Sequence, residues 1–186
     1  TSLLGQKDYQ GFSLLPHRTV KVKQFQDNTE FAAMVESVDE SLGHVLAKLK
    51  ELGIASNTIV IFFSDNGGMS AANFFNPRRV ISRYDLNKAF ATSNLPLRGG
   101  KGWLYEGGIR EPLIVRWPGV VKPGAEVGTP VSSPDYFATL ADVTGTQPPA
   151  KIDGVSLRPL LEGKGALPER ALFWHYPHYG NQGGAP

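Results

Sequence analysis

The sequence has no cysteine, no long apolar run and almost no excess of charge. The absence of cysteine among the 186 residues excludes disulfide bonds and thiolate zinc sites. No apolar stretch approaches the roughly 20 residues that a membrane helix needs, and the first residues lack the pattern of a signal peptide. The formal net charge of +2 is too small for nucleic-acid binding across a whole surface. We therefore expect a globular protein with neither a membrane nor a nucleic-acid partner.

The clearest periodic segment predicts a long helix. Apolar residues recur at steps of three and four between Phe31 and Leu52, which places them on one helical face. Asp27 and Glu30 resemble a capping box, and Gly53 provides a helix stop. Residues 1–28 show no sustained period, so we expect an irregular lead-in there.

Two apolar, β-branched runs predict core strands. Residues 58–63 form a continuous run typical of a strand buried on both faces, as in a parallel sheet covered by helices. Residues 113–117 predict a second core strand. In open α/β sheets, ligands gather beyond the carboxyl ends of strands. The sequence Ser-Asp-Asn-Gly-Gly at 64–68 occupies that place.

The last third of the chain predicts shorter elements. Ser133 and Pro134 form an N-cap and first-turn pair for a helix that ends at Gly145. One helical turn is expected near residues 157–161 and a last strand at 171–175. The composition of residues 179–186 is that of a flexible tail.

Asp65 and Asn66 are the candidate metal ligands. A carboxylate beside an amide carbonyl suits a hard cation such as calcium. The same residues followed by glycine are also ordinary turn chemistry, so the pattern alone leaves both interpretations open. Because calcium takes about 6–8 oxygen ligands, a bound ion would need further carboxylates.

Three other features could bind an anion or transfer a proton. Lys101 lies between glycines in a loop, where it could clamp an oxyanion or be a solvated surface charge. His175 and His178 could be acid–base or ligand groups, although packing is the simpler interpretation. Residues 71–94 mix arginine and aromatic residues, and could rim a site for an anionic substrate or form a solvated insertion.

Taken together, these segments resemble type I sulfatases of the alkaline phosphatase superfamily. The similarity covers residues 29–178 and is most specific in GGKGWLYEGGIREPLIVRWPG, residues 99–119. It implies the C-terminal part of a sulfatase catalytic domain. The implied fold is α/β, part of an alkaline-phosphatase-like sandwich with a mainly parallel sheet flanked by helices.

The resemblance also implies site residues and chemistry. Asp65 and Asn66 would be calcium ligands, Lys101 would bind the sulfate group, and His175 is a weaker candidate for substrate contact. The family hydrolyses sulfate esters through a formylglycine hydrate that attacks sulfur. A cation and a lysine would neutralise charge on the sulfuryl oxygens as the bond breaks. A periplasmic or secreted location is expected from the same resemblance.

The sequence departs from the family at the nucleophile. Formylglycine is made from a Cys or Ser followed by x-Pro-x-Arg, and the nearest match, Ser132–Tyr136, ends in tyrosine. We therefore expect this polypeptide to be inactive alone, and an uncovered sheet edge to favour self-association. Two alternatives remain: a phosphodiesterase or phosphatase of the same superfamily, or a non-catalytic domain that binds sulfated glycans through residues 71–94. Charge reversal at Arg78, Arg79 and Arg83 would test the second.

Overall fold

A computed structural model describes residues 4–9, 18–70 and 86–176. The chain divides into two compact units. Unit 1 contains Thr1–Lys48, Phe62–Ile114 and Trp174–Pro186, whereas unit 2 contains Leu49–Ile61 and Val115–Phe173. No helix in the described ranges is both long enough and apolar enough to cross a membrane.

An antiparallel hairpin lies where the sequence predicted an irregular lead-in. Strand β1 (Leu4–Tyr9) pairs with β2 (Arg18–Lys23), with Leu4 opposite Lys23 and Tyr9 opposite Arg18. The prediction of irregular structure over 1–28 was therefore wrong for these two strands. The alternation of valine and lysine in β2 is a strand pattern, but it is short, and four of the six residues of β2 are polar. Pairing with β1 stabilises β2 as a strand, and the short sequence pattern did not predict that pairing.

Helix α1 spans Thr29–Glu51 and confirms the predicted helix. Its cap is one residue later than predicted. Asn28 Oδ1 accepts a hydrogen bond from Phe31 N at 3.1 Å, so Asn28 is the N-cap. Asp27 instead forms an ion pair with Lys23 at 2.7 Å. A short 3₁₀ helix, Ala55–Asn57, follows α1.

Strands β3 (Val60–Phe63) and β4 (Leu113–Arg116) form a second two-stranded sheet and confirm the two predicted strands. The burial predicted for both faces of the first strand and the core position predicted for the second were wrong. Phe63 is 46% exposed and Ile114 is 62% exposed. Within the described residues this sheet has only two strands, so each strand is paired along one edge. Apolar side chains on its faces remain partly exposed to solvent.

Unit 1 also contains two short helices and a small set of buried apolar side chains. Helices α2 (Leu86–Ala89) and α3 (Glu106–Ile109) are each one turn long. Its buried apolar side chains are Val22, Ala89, Phe90 and Trp103. Lys23 N donates to Ser70 O at 2.8 Å and attaches the hairpin to the chain beyond β3.

Unit 2 is organised by α4 (Pro134–Thr144) and α5 (Arg158–Leu161), both of which the sequence predicted. Gly145 ends α4 in the left-handed conformation, with φ of 68°. Ser133 makes no side-chain cap, and Asp135 Oδ2 instead accepts a hydrogen bond from Ser132 N at 2.8 Å. The predicted strand at 171–175 was wrong, since residues 171–176 are irregular. A strand needs a partner, and the described residues provide none for this segment.

Candidate functional site

Asp65 and Asn66 lie in a loop that begins directly after β3 (residues 64–68, the Asp-Asn loop). Asp65 is exposed and Asn66 is half-buried. Ser64 N donates to Pro112 O at 3.3 Å, and Gly67 N donates to Gly108 O at 3.1 Å. These two hydrogen bonds flank the pair and place it opposite residues 109–111. The loop therefore has a fixed backbone, while its carboxylate remains open to solvent.

Only glycine fits at position 67. A Cβ atom there would collide with the backbone carbonyl of Gly107. Gly107 and Gly108 are enclosed by residues 97–103, because a Cβ at 107 would collide with Gly99 O and one at 108 with Trp103 O. Gly67 therefore lets the Asp-Asn loop lie directly against the backbone before β4, and Gly107 and Gly108 do the same for residues 97–103.

Lys101 lies in a second loop that is joined to the first (residues 97–103, the lysine loop). Lys101 N donates to Gly68 O at 3.0 Å, and the Lys101 side chain is exposed. Gly99 has φ of 76°, a conformation that favours glycine, and Trp103 N closes the turn on Gly100 O at 3.0 Å. The structure therefore brings the predicted lysine beside the loop that carries the predicted metal ligands.

Aromatic side chains support the lysine loop. The Arg98 guanidinium carbon lies 3.8 Å from the centroid of the Tyr105 ring. The Tyr105 and Trp103 rings stack with centroids 6.1 Å apart, and Trp103 is buried. Cation–π and stacking contacts of this kind hold a backbone turn in one conformation.

Glu111 is a functional candidate that the sequence did not single out. Burial, and then the negative charge of Asp65, raise the pKa of the Glu111 carboxyl above its usual value of 4.5. Its Oε1 atom is buried without a hydrogen-bond partner. A carboxylate oxygen left without a donor near a second carboxylate fits an environment completed by a cation. The sequence signal that could have identified Glu111 is its position within residues 99–119, where the resemblance to the family is most specific.

The residues present fit part of a calcium shell. Asp65 and Asn66 offer the hard oxygen donors that calcium prefers, and the orphaned Glu111 oxygen is consistent with a nearby positive charge. Across 4–9, 18–70 and 86–176, however, no group of three or more His, Asp or Glu side chains could hold a metal ion. In these ranges the chain therefore offers possible oxygen donors for a cation but not a full set.

The other predicted residues do not join this cluster in the part of the chain that the structure describes. His175 is exposed in the irregular segment 171–176. His178 and the arginines at 78, 79 and 83 lie outside the described residues. Phe90, which was grouped with a possible substrate rim, is 1% exposed and belongs to the core.

Comparison with known proteins identifies the family. The Asp-Asn loop and the lysine loop are joined by a backbone hydrogen bond from Lys101 N to Gly68 O. A family model described as Sulfatase matches residues 6–146. The chain belongs to the sulfatase family. The predicted α/β, alkaline-phosphatase-like fold class is thereby confirmed.

Curated relatives agree with this membership. The chain is 37% identical over 165 residues to a sulfatase of Formosa agariphila, covering 81% of this chain and 26% of that protein. It is 42% identical over 144 residues to rat steryl-sulfatase, with coverages of 76% and 23%. It is 37% identical over 150 residues to human arylsulfatase A, with coverages of 80% and 26%. The chain therefore spans about a quarter of the length of these relatives.

Two solved structures also match. One is the phosphonate monoester hydrolase SpPMH from Silicibacter pomeroyi, with a TM-score of 0.48, 32% identity, and coverage of 72% of this chain and 22% of that one. The other is BT4656 in complex with D-glucosamine-2-N,6-O-disulfate, with a TM-score of 0.48, 28% identity, and coverages of 77% and 26%.

Proposed function

We propose that this chain forms one wall of the active site of a sulfuric ester hydrolase. In this proposal Asp65 and Asn66 hold calcium, and Lys101 binds the sulfate group of the substrate. Family membership supports the hydrolase class. The observation that carries the residue assignments is the 3.0 Å hydrogen bond from Lys101 N to Gly68 O, which joins the lysine loop to the Asp-Asn loop.

The chemistry of each residue follows from its charge and exposure. Lys101 places an exposed ammonium on a turn with a fixed backbone, where it can donate charge-assisted hydrogen bonds to sulfate oxygens. Such donors lower the activation barrier because they stabilise the negative charge that develops on the sulfuryl oxygens as the sulfur–oxygen bond breaks. A calcium ion bound at Asp65 and Asn66 would supply Lewis-acid stabilisation of the same oxygens.

The nucleophile is not among these residues. The chain contains no cysteine, and its one Ser-x-Pro sequence lacks the arginine of the formylglycine motif. We infer that the polypeptide alone does not hydrolyse sulfate esters and that Asp65 and Asn66 alone bind calcium weakly. The same proposal includes a periplasmic or secreted location, which fractionation of the source cells would test.

The binding roles can be tested on the chain itself. Titration with inorganic sulfate, followed by NMR of isotopically methylated lysines, should shift the Lys101 signal. In Lys101→Ala, which lacks that signal, sulfate affinity followed by isothermal titration calorimetry should fall by at least about tenfold, since a charge-assisted hydrogen bond contributes about 1.5–3 kcal/mol. Lys122→Ala, which removes an exposed lysine in unit 2, is the matched control and should bind as the wild type does.

Other outcomes would point to the other functions. Equal sulfate binding by wild type and Lys101→Ala would overturn the assignment of Lys101. Stronger binding of phosphate than of sulfate would favour a phosphatase or phosphodiesterase. Binding of a sulfated glycan that survives Lys101→Ala but is lost on charge reversal at Arg78, Arg79 and Arg83 would favour a non-catalytic glycan-binding domain. Turnover of an aryl sulfate by the purified chain would contradict its expected inactivity.

A further inference from the structure

Asn94 lies at the junction of the two loops that carry the candidate site. Its amide Nδ2 donates to Gly68 O at 2.7 Å and to Gly99 O at 3.3 Å. Gly68 is the last residue of the Asp-Asn loop, and Gly99 lies two residues before Lys101. One side chain therefore hydrogen-bonds to both loops at once.

Ser70 reinforces the same junction. Its hydroxyl donates to Gly99 O at 3.1 Å, and the residue is 3% exposed. Gly68 O accepts from both Asn94 Nδ2 and Lys101 N, and Gly99 O accepts from both Asn94 Nδ2 and Ser70 Oγ. Because each carbonyl has two lone pairs, both oxygens are fully used by this network.

The packing around Gly100 shows how little space the junction has. A Cβ atom at position 100 would lie 2.5 Å from Asn94 Nδ2, 2.5 Å from Ser70 Oγ and 2.6 Å from Gly68 O. The residue just before Lys101 is therefore enclosed by the three groups that form the network. A turn enclosed in this way has few alternative conformations, so its direction depends on the side chains that surround it.

We propose that Asn94, assisted by Ser70, is a positioning residue that fixes Lys101 relative to Asp65 and Asn66. This inference rests on the proposed function, since it deepens the role of the same site. Asn94 acts through the two carbonyls and touches neither substrate nor metal. Without its amide, the Lys101–Gly68 backbone bond would remain, but the lysine loop would lose the bond at Gly99 O and the Asp-Asn loop would lose the bond at Gly68 O.

Asn94→Ala tests the inference through two readouts. Sulfate affinity, measured at the methylated Lys101 signal with saturating calcium, should fall about tenfold. Hydrogen exchange at the Lys101 amide should accelerate about tenfold, while exchange at the Ala91 amide, which donates to Met69 O, should stay unchanged. Asn57→Ala, at an exposed asparagine in unit 2, is the control and should alter neither readout.

Ser70→Ala keeps the test decisive if Asn94→Ala does not fold. This variant removes one of the hydrogen bonds and should shift both readouts in the same direction by a smaller factor. Unchanged sulfate affinity and unchanged Lys101 exchange in the folded variants would overturn the positioning role and leave the proposed function intact. An equal loss of calcium affinity, sulfate affinity and global stability would show a general scaffold role and also overturn it. If wild-type Lys101 does not respond to sulfate, the proposed function fails and this inference falls with it.

Discussion

Single glycines decide how closely each loop of the site approaches the backbone and side chains around it. Gly67 faces the Gly107 carbonyl at a distance that excludes any side chain, and Gly100 is enclosed by polar groups. Gly43, in the middle of α1, has no neighbour within 4 Å of where a Cβ would lie. Close packing therefore requires glycine at positions 67 and 100 but not at position 43. Substitution by alanine distinguishes the two cases.

Gly67→Ala should destabilise the chain by about 1–3 kcal/mol, because an added methyl group must displace backbone. Gly43→Ala should stabilise it by up to about 1 kcal/mol, because alanine is the better helix former. Urea unfolding followed by circular dichroism measures both changes. A neutral Gly67→Ala would show that residues 107 and 108 can move away at little cost.

At the scale of elements, α4 is held to the chain that follows it by one buried carboxylate. Asp135 is fully buried, and its oxygens accept from Ser132 N at 2.8 Å and Val155 N at 3.0 Å. Arg170 donates to both oxygens, at 2.6 and 2.5 Å. The segment after α4 is therefore anchored at two points 15 residues apart, 155 and 170, to the first turn of the helix.

Asp135→Asn should cost about 3–5 kcal/mol of unfolding free energy, because it leaves the Arg170 guanidinium without its ionic partner. Asp142→Asn is the matched control. Asp142 also pairs with an arginine, Arg158, but both side chains are about 40% exposed, so the loss should be much smaller. Similar losses in the two variants would contradict the anchoring role of Asp135.

The same carboxylate predicts how stability depends on pH. Burial alone would raise the pKa of Asp135, but the hydrogen bonds from Arg170, Val155 and Ser132 outweigh it and lower that pKa below its ordinary value of 3.8. The folded state therefore binds this proton less readily than the unfolded state. The stabilisation is present above pH 3.8 and is lost as pH falls through the lower folded pKa. Acid titration of unfolding should show this loss in the wild type and a flatter profile in Asp135→Asn.

At the scale of the whole molecule, apolar side chains on several elements face solvent. Met34, Val35, Val38 and Val45 on α1 are each more than half exposed, as is Ile114 on β4. Exposed apolar patches of this kind are typical of surfaces that bind another polypeptide. We propose self-association through the uncovered sheet of β3 and β4 as one way of covering such a surface.

Ile114→Lys should weaken self-association about tenfold, since it replaces an apolar contact with a charge. Sedimentation velocity over a range of concentrations gives the association constant. Ala125→Lys adds the same charge in an exposed loop and should leave that constant unchanged. A wild-type chain that stays monomeric at all concentrations would contradict the proposal.

Periodic and apolar patterns predicted most of the elements correctly. Helices α1 and α4 and strands β3 and β4 have dense local signals, and all of them are present. The paired strands Leu4–Tyr9 and Arg18–Lys23, and the irregular segment 171–176, depend on whether a distant partner strand exists. Local sequence does not contain that information, because a strand is stabilised by pairing and not by its own residues alone.

For the candidate site, the sequence by itself identified Asp65, Asn66 and Lys101 by residue type, by their glycine neighbours and by resemblance to the family. The tertiary structure decided that the two loops are joined, that Asn94 and Ser70 hold the junction, and that Glu111 lies half-buried near Asp65. The physical reason is sequence distance. Gly68 and Lys101 are 33 residues apart, and only the folded backbone brings the carbonyl of one within 3.0 Å of the amide of the other.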